Sequence, residues 1–148
     1  MERRAFLAGI GAGAAVASAG CLSLNTGTSG GGTDEIQMNS NEFLPERYEA
    51  SVGERVVWNN TSTRPHTVTS GVPDPDHEAD SLPEGASYFS SGGFDSEAAA
   101  ERAWQNDLKG AIEPGTTYSH TFEVAGTYPY YCIPHQAAGM TGVIVVKD

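Results

Sequence analysis

The sequence predicts an all-β sandwich, and three observations support this prediction. From Ile36 onward, short runs of β-branched and aromatic residues recur at intervals typical of sandwich strands. Turn residues separate these runs. One run alternates, with large residues at every second position from Tyr118 to Val124 and shorter or charged residues between them. One face of that strand is therefore expected to be buried.

We expect seven to eight strands, and seven segments can be assigned. These are Ile36–Phe43, Arg47–Ala50, Arg55–Asn59, His66–Ser70, Thr117–Val124, Thr127–Cys132 and Gly142–Lys147. The turn signals between them are Val52-Gly53-Glu54, Asn59-Asn60, Glu113-Pro114-Gly115 and Ala125-Gly126.

A helix is predicted from Asp95 to Asp107, because Ser96 can cap a run rich in alanine and glutamate. The helix lies in a long acidic insertion, about residues 71–109, that is otherwise loop-like. Together with residues 34–70 and 110–148, this insertion makes up a single predicted domain, residues 34–148.

Residues 1–21 are predicted to be an export signal. Arg3 and Arg4 precede an apolar stretch, Ala5–Ala19, of about 15 residues, which is shorter than the roughly 20 residues that span a bilayer. The arginine pair followed by Phe6-Leu7 looks like a twin-arginine signal.

The end of this signal resembles a lipoprotein processing site, Ser18-Ala19-Gly20-Cys21. Cys21 is the candidate lipid-bearing residue, and simple cleavage nearby is the alternative. Residues 22–33 are rich in Gly, Ser and Thr and are predicted to be a flexible tether. We therefore expect an exported domain, held peripherally or by a lipid on the extracellular face of the cell membrane.

The charge balance excludes a nucleic-acid partner. Residues 34–148 contain 18 acidic and 6 basic side chains, a net charge of −12. The basic residues are scattered singly, so they form no patch that could bind phosphates. The chain has only 2 cysteines, Cys21 and Cys132, which excludes a disulfide-stapled scaffold.

Three metal-donor side chains lie within nine residues: the thiol of Cys132, the imidazole of His135 and the thioether of Met140. This C-x2-H-x4-M spacing begins at the end of one predicted strand and ends at the start of the next, so one loop can fold around an ion. A fourth donor is expected from His66, which follows Pro65 at a predicted strand start. The strand parity of His66 and Cys132 points both side chains inward at one end of the sandwich.

Two histidines, a cysteine and a weak axial methionine are the ligands of blue-copper electron-transfer sites. Thiolate and thioether suit Cu(I), and imidazole suits both Cu(I) and Cu(II). A geometry that both oxidation states tolerate lowers the reorganisation that accompanies electron transfer.

The chain resembles the plastocyanin-type cupredoxins, and within them the halocyanins, small membrane-tethered blue copper proteins of salt-adapted cells. The resemblance covers about residues 34–70 and 110–148 and rests on four motifs. These are Asn59-Asn60 through Pro65-His66, Pro114-Gly115-Thr116-Thr117-Tyr118 with Phe122, Gly126-Thr127-Tyr128, and Tyr131-Cys132-x-Pro134-His135-x4-Met140-x-Gly142.

The resemblance implies a cupredoxin-like Greek-key sandwich that binds one copper ion through His66, Cys132, His135 and Met140. It implies a monomeric, mobile one-electron carrier rather than an enzyme, with redox proteins of a membrane electron-transport chain as partners. Docking is expected near His135, Pro134 and Ala138, with the acidic side near Tyr131 as the alternative surface.

The sequence departs from this family at Thr67, where many relatives have an asparagine that ties the two ligand loops together. A threonine hydroxyl can bond only one loop group well.

Other functions fit less well. A copper carrier or storage protein would use the same donors and remains the main alternative. A cysteine hydrolase would need Cys132 as nucleophile with a histidine base, but no Asn or Asp is placed to orient His135. A catalytic copper enzyme would need more histidines than the chain has left. The remaining two are His77, in an acidic loop, and His120, expected to be a core or edge residue, and they cannot supply a three-histidine site.

Overall fold

The computed structural model describes residues 35–73 and 82–148. The predicted export signal, the tether, Cys21 and His77 lie outside the described residues. Within them the chain forms eight strands and one α-helix, as the sequence predicts.

The strands are β1 (Glu35–Met38), β2 (Phe43–Leu44), β3 (Arg47–Ser51), β4 (Glu54–Asn60), β5 (Thr69–Ser70), β6 (Thr117–Phe122), β7 (Gly126–Tyr131) and β8 (Thr141–Lys147). The helix α1 (Glu97–Asp107) lies between β5 and β6, and a 3-10 helix, Ile133–Ala138, joins β7 to β8.

The strands form two sheets, ordered β2-β1-β4-β6 and β3-β8-β7-β5. Both sheets are mixed, because β1 pairs parallel with β4 and β3 pairs parallel with β8. The antiparallel pair β7–β8 runs in continuous register from Gly126 opposite Val146 to Tyr131 opposite Thr141. The C-x2-H-x4-M segment, Cys132 to Met140, therefore begins at the end of β7 and ends at the start of β8.

Large aromatic side chains fill the space between the sheets. Trp58 of β4 is fully buried and meets Tyr130 of β7 edge-on, with ring centroids 5.4 Å apart. Phe43 meets the same tyrosine ring at 4.6 Å. Phe122 is buried and Tyr118 packs against the core, so β6 buries the face that its alternation predicts.

The predicted strand Ile36–Phe43 is wrong as a single element. A turn at Asn39 divides it into β1 and β2, because the Asn39 Oδ1 accepts hydrogen bonds from the backbone N–H groups of Asn41 and Glu42 at 3.0 and 2.8 Å. The predicted strand His66–Ser70 is shortened to Thr69–Ser70. His66 instead forms an isolated bridge with Ile112.

The helix α1 begins where the sequence predicts, with the Ser96 hydroxyl accepting from the Ala99 N–H at 3.2 Å. Its buried residue, Ala100, belongs to a second apolar cluster with Tyr131 and Ile133. The helix thus covers the outer side of the sheet next to Cys132.

In the described part of the chain, no helix is long and apolar enough to cross a bilayer.

Candidate metal centre

The segment from Cys132 to Met140 is closed into a tight loop by its own backbone. The Cys132 N–H donates to the Met140 carbonyl at 3.0 Å, across the neck of the loop. Gly139 ends the 3-10 helix with a φ of 80°, in the left-handed region that favours glycine. This reversal returns the chain to β8 within two residues.

His66 approaches from the loop that follows β4. Its N–H donates to the Ile112 carbonyl at 3.2 Å, and its carbonyl accepts from the Ile112 N–H at 2.7 Å. This bridge holds His66 at the end of the sandwich where β7 ends, so the two ligand loops meet there.

The structure brings three of the four predicted donors together. The Cys132 Sγ lies 3.5 Å from the Nδ1 of His66 and 3.5 Å from the Nδ1 of His135. The donor atoms of these three residues all lie within 4.8 Å of one another. One thiol sulfur and two imidazole nitrogens at this separation fit a single soft or borderline metal ion.

Met140 lies at the end of the same loop. Its side chain is fully buried and belongs to the same core cluster as Cys132. His66 and Cys132 are fully buried as well, whereas His135 is only partly buried. His135 is thus the donor nearest to solvent.

Thr67 joins the two loops. Its N–H points at the Cys132 Sγ at 3.4 Å, and its hydroxyl oxygen accepts from the Ile133 N–H at 2.8 Å. The hydroxyl thus makes one bond to the cysteine loop, as the sequence predicts for threonine at this position.

Burial keeps the donors uncharged in the absence of metal. It lowers the pKa of His66 to about 4, with further lowering from the nearby His135 and Arg64. It also lowers the pKa of His135, again with a contribution from Arg64. Neutral imidazoles offer the lone pairs that a metal ion requires.

Burial raises the pKa of the Cys132 thiol to about 11, although the Thr67 N–H favours the thiolate. A buried, protonated thiol is a poor nucleophile at neutral pH. This disfavours the cysteine hydrolase.

His120 lies outside this cluster. It is half-buried on β6, and its ring stacks on Phe89 with centroids 4.9 Å apart. Within residues 35–73 and 82–148, the cluster of potential metal-binding residues consists of His66, Cys132 and His135.

Sequence reasoning missed Ser62, whose hydroxyl oxygen lies 2.9 Å from the Nε2 of His66. The only signal was a hydroxyl residue four positions before a histidine, a spacing too common to be informative.

The comparisons with known proteins agree with this geometry. Residues 32–147 match the copper-binding proteins of the plastocyanin/azurin family. Plastocyanin of Vicia faba is 35% identical over 105 residues, which cover 71% of this chain and 87% of that protein. Plastocyanin of Scenedesmus fuscus is also 35% identical over 105 residues, covering 71% of this chain and 86% of its own.

Solved structures show the same fold. A purple cupredoxin from Nitrosopumilus maritimus superposes with a TM-score of 0.50 at 24% identity, over 78% of this chain and 100% of its own. An amicyanin variant in its reduced Cu(I) form gives a TM-score of 0.50 at 26% identity, over 81% of this chain and 87% of its own. A cupredoxin-like sandwich, a copper-type donor cluster and a family match over most of the chain lead to one conclusion: the chain belongs to the plastocyanin/azurin family of copper-binding proteins.

Proposed function

We propose that the protein is a mobile one-electron carrier with a mononuclear type 1 copper site. The observation that carries this proposal is the buried cluster of one thiol and two imidazoles within 4.8 Å. Copper bound there supplies a one-electron couple between Cu(II) and Cu(I).

Each donor has a distinct role in this proposal. Cys132, His66 and His135 are the three strong ligands, and Met140 is the weak axial ligand. The first three are supported by the distances between their donor atoms. Met140 is supported by its burial in the Cys132 cluster and by the backbone bond that brings it back to Cys132.

The loops of this site are held by groups other than the metal. The Thr67 hydroxyl accepts from Ile133, and the Cys132 N–H donates to Met140. Ligands fixed in this way keep one geometry when the charge of the ion changes, which lowers the reorganisation that electron transfer requires.

Electrons are proposed to enter and leave at His135, because it is the least buried of the four donors. Pro134 is partly buried beside it and Ala138 is exposed on the same loop. A redox protein of a membrane electron-transport chain can approach these small side chains without desolvating charges.

The acidic side near Tyr131 is a poorer docking surface. Tyr131 is fully buried, and its hydroxyl lies 3.0 Å from a Glu97 carboxylate oxygen and 2.7 Å from one of Glu101. The helix α1 that bears both glutamates separates this tyrosine from any partner.

The docking proposal is tested by Ala138→Glu. This charge should slow electron exchange with the physiological partner while the optical spectrum and potential stay nearly unchanged. Ala98→Glu, on the exposed side of α1, is the matched control and should have little effect. An unchanged rate in Ala138→Glu together with a slowed rate in Ala98→Glu would move the docking surface to the helix.

We further propose that the carrier acts as a monomer and is a halocyanin-type protein, exported and tethered at the extracellular face of the membrane. The support is the Arg3-Arg4 pair, the Cys21 processing motif, the Gly-rich segment 22–33 and the net charge of −12 on residues 34–148. Mass spectrometry of the membrane fraction should find a lipid on Cys21, and Cys21→Ala should release the protein into the medium. An unmodified Cys21, or a Cys21→Ala variant that stays on the membrane, would refute the lipid anchor.

A copper carrier or storage protein is the alternative, because the same donors bind Cu(I). The complete burial of His66 and Cys132 argues against rapid handover of the ion to another protein. Repeated oxidation and reduction in the presence of a Cu(I) chelator separates the two functions. An electron carrier keeps its copper over many cycles, whereas a carrier of copper loses it on reduction.

A further inference from the structure

We propose that Ser62 is a positioning residue that fixes the ring orientation and tautomer of His66. It acts as the middle member of a chain of hydrogen bonds, Asn60–Ser62–His66, which we call the His66 relay. The inference rests on the proposed function in one respect, namely that His66 holds copper.

The relay is anchored at Asn60, the fully buried last residue of β4. The Asn60 Nδ2 donates to the Arg64 carbonyl at 2.7 Å and to the Ile112 carbonyl at 2.8 Å. Because carbonyl oxygens only accept hydrogen bonds, the amide group of Asn60 that faces these two carbonyls must be its NH2 group. The Asn60 Oδ1 therefore faces Ser62.

The hydroxyl hydrogen of Ser62 has two carbonyl-type acceptors other than His66, the Asn60 Oδ1 at 2.7 Å and the Arg64 carbonyl at 3.1 Å, and the shorter contact is to Asn60. The Ser62 Oγ lies 2.7 Å from the Asn60 Oδ1, which has no hydrogen of its own. Two oxygens at this distance attract only if a hydrogen lies between them, and Ser62 has the only one available. The Asn60 Oδ1 also accepts from the Ser62 N–H at 3.0 Å, so all four hydrogen-bonding positions of the amide are used.

The Ser62 oxygen can therefore act toward His66 only as an acceptor. It accepts one bond from the Arg64 N–H at 3.2 Å and faces the His66 Nε2 at 2.9 Å. His66 must then bear its hydrogen on Nε2. This leaves the Nδ1 lone pair directed at the metal centre, where it lies 3.5 Å from the Cys132 Sγ.

The backbone supports His66 at two points, the bridge to Ile112 and a hydrogen bond of the His66 ring with the backbone of Asn39. The strand β5 begins only at Thr69, so His66 is held by its isolated bridge to Ile112. Asn60 donates to the same Ile112 carbonyl that accepts from the His66 N–H. The Ile112 carbonyl thus fixes the backbone of His66 directly and its ring through Asn60 and Ser62. Such hydrogen bonds to the second nitrogen of a histidine ligand commonly set metal affinity.

The test compares Ser62→Ala and Ser62→Thr with the control Thr63→Ala, which removes an exposed hydroxyl from the same loop. Nitrogen-15 NMR of the histidine rings in the copper-free protein reports the tautomer, and line broadening of the Nε2 hydrogen reports its exchange with water. Wild type, Ser62→Thr and Thr63→Ala should show one His66 tautomer with slow exchange at Nε2. Ser62→Ala should show both tautomers and faster exchange.

Copper affinity provides the second measurement. Ser62→Ala should bind Cu(II) about 10- to 100-fold more weakly, as is typical when such a partner of a ligand is removed. Ser62→Thr should restore the affinity, which a loss of packing alone would not predict.

A Ser62→Ala protein with a single Nε2–H tautomer and wild-type exchange would overturn the relay. A changed tautomer with unchanged copper affinity would overturn the positioning role toward the metal. If wild type binds no copper, the proposed function fails, and the copper-free NMR result still decides whether Ser62 sets the tautomer.

Discussion

At Cys132, burial and hydrogen bonding act on the thiol in opposite directions. Burial raises its pKa to about 11, while the Thr67 N–H at 3.4 Å from the sulfur favours the thiolate. The hydrogen bond is the weaker influence, so the metal-free thiol keeps its proton at pH 7. Uptake of copper must therefore release that proton, which makes copper affinity increase with pH.

Met140 tests the axial part of the site. Met140→Leu should keep the blue colour, because the cysteine bond that produces it remains. The reduction potential should rise, because loss of a weak donor disfavours Cu(II) more than Cu(I). Voltammetry of both proteins measures the change. An unchanged or lower potential would count against Met140 as the axial ligand.

His120 should make the stability of the copper-loaded protein depend on pH. Burial lowers the pKa of His120 in the folded state from its ordinary value of 6.5. Below pH 6.5 the unfolded chain therefore binds a proton at His120 more readily than the folded chain does. The contribution of His120 to the free energy of unfolding is fully present above pH 6.5 and is lost as the pH falls toward the folded pKa. Urea unfolding at pH 7 and pH 5 should show a larger loss in wild type than in His120→Phe. Equal losses would show that His120 is not responsible.

Sequence reasoning could predict Cys132, His135 and Met140 because they share one short loop, in which spacing alone limits their separation. His66 lies in another loop and was predicted from its place after Pro65 and its strand parity.

Sequence reasoning could not predict Ser62, because the relay depends on how the residues between Asn60 and His66 fold back on themselves. The Asn60 side chain reaches the Ile112 carbonyl 52 positions along the chain, which no local pattern encodes.

At the scale of elements, the helix α1 covers one side of β7, the strand that leads to Cys132. In a simple sandwich, neighbouring residues of β7 would face core and solvent in turn. Here Tyr130 and Tyr131 are both fully buried, because α1 covers the outer face. The helix could be predicted from its cap and composition. The surface against which it packs could not, because that depends on the tertiary fold.

Tyr131 should contribute substantially to the attachment of this helix. Its hydroxyl hydrogen lies between the carboxylates of Glu97 and Glu101. Tyr131→Phe should lower the free energy of unfolding by about 1.5–3 kcal/mol, the range for hydrogen bonds to charged groups. Urea unfolding measures this loss, and the optical spectrum should change little. A loss well below this range would mean that the Tyr131 hydroxyl contributes little to the attachment of α1.

The strands were predictable where polarity alternates and turns are marked by glycine or proline. The division of Ile36–Phe43 into β1 and β2 could not be predicted in this way. Asn39 lies inside an otherwise β-like run and interrupts the strand through hydrogen bonds of its side chain. His66 likewise remains outside β5, because its backbone pairs with Ile112 instead.

For the whole molecule, the charge of −12 on residues 34–148 is the dominant electrostatic feature. The ion pairs among the described residues, Arg47–Glu49, Lys109–Asp107 and Lys147–Glu49, are all exposed and offset little of the repulsion. The compact state therefore bears a repulsive cost that salt should reduce.

Thermal stability should consequently rise between 0.1 and 1 M KCl, over which the Debye length falls from about 10 Å to about 3 Å. Most of the gain from screening should be complete by 1 M. Melting copper-loaded and copper-free protein in matched KCl series makes the measurement. A flat response in both forms would refute the repulsion, and a response to sulfate alone would indicate stronger apolar burial instead.

The central claim is that Cys132, with the two histidines, forms a blue copper site. The most direct measurement is the visible spectrum of the metal-free protein as one equivalent of Cu(II) is added, alongside Cys132→Ser. Wild type should turn intensely blue through charge transfer from the thiolate to copper, and the folded Cys132→Ser variant should stay colourless. A wild-type protein without that band, or a serine variant that keeps it, would contradict the claim.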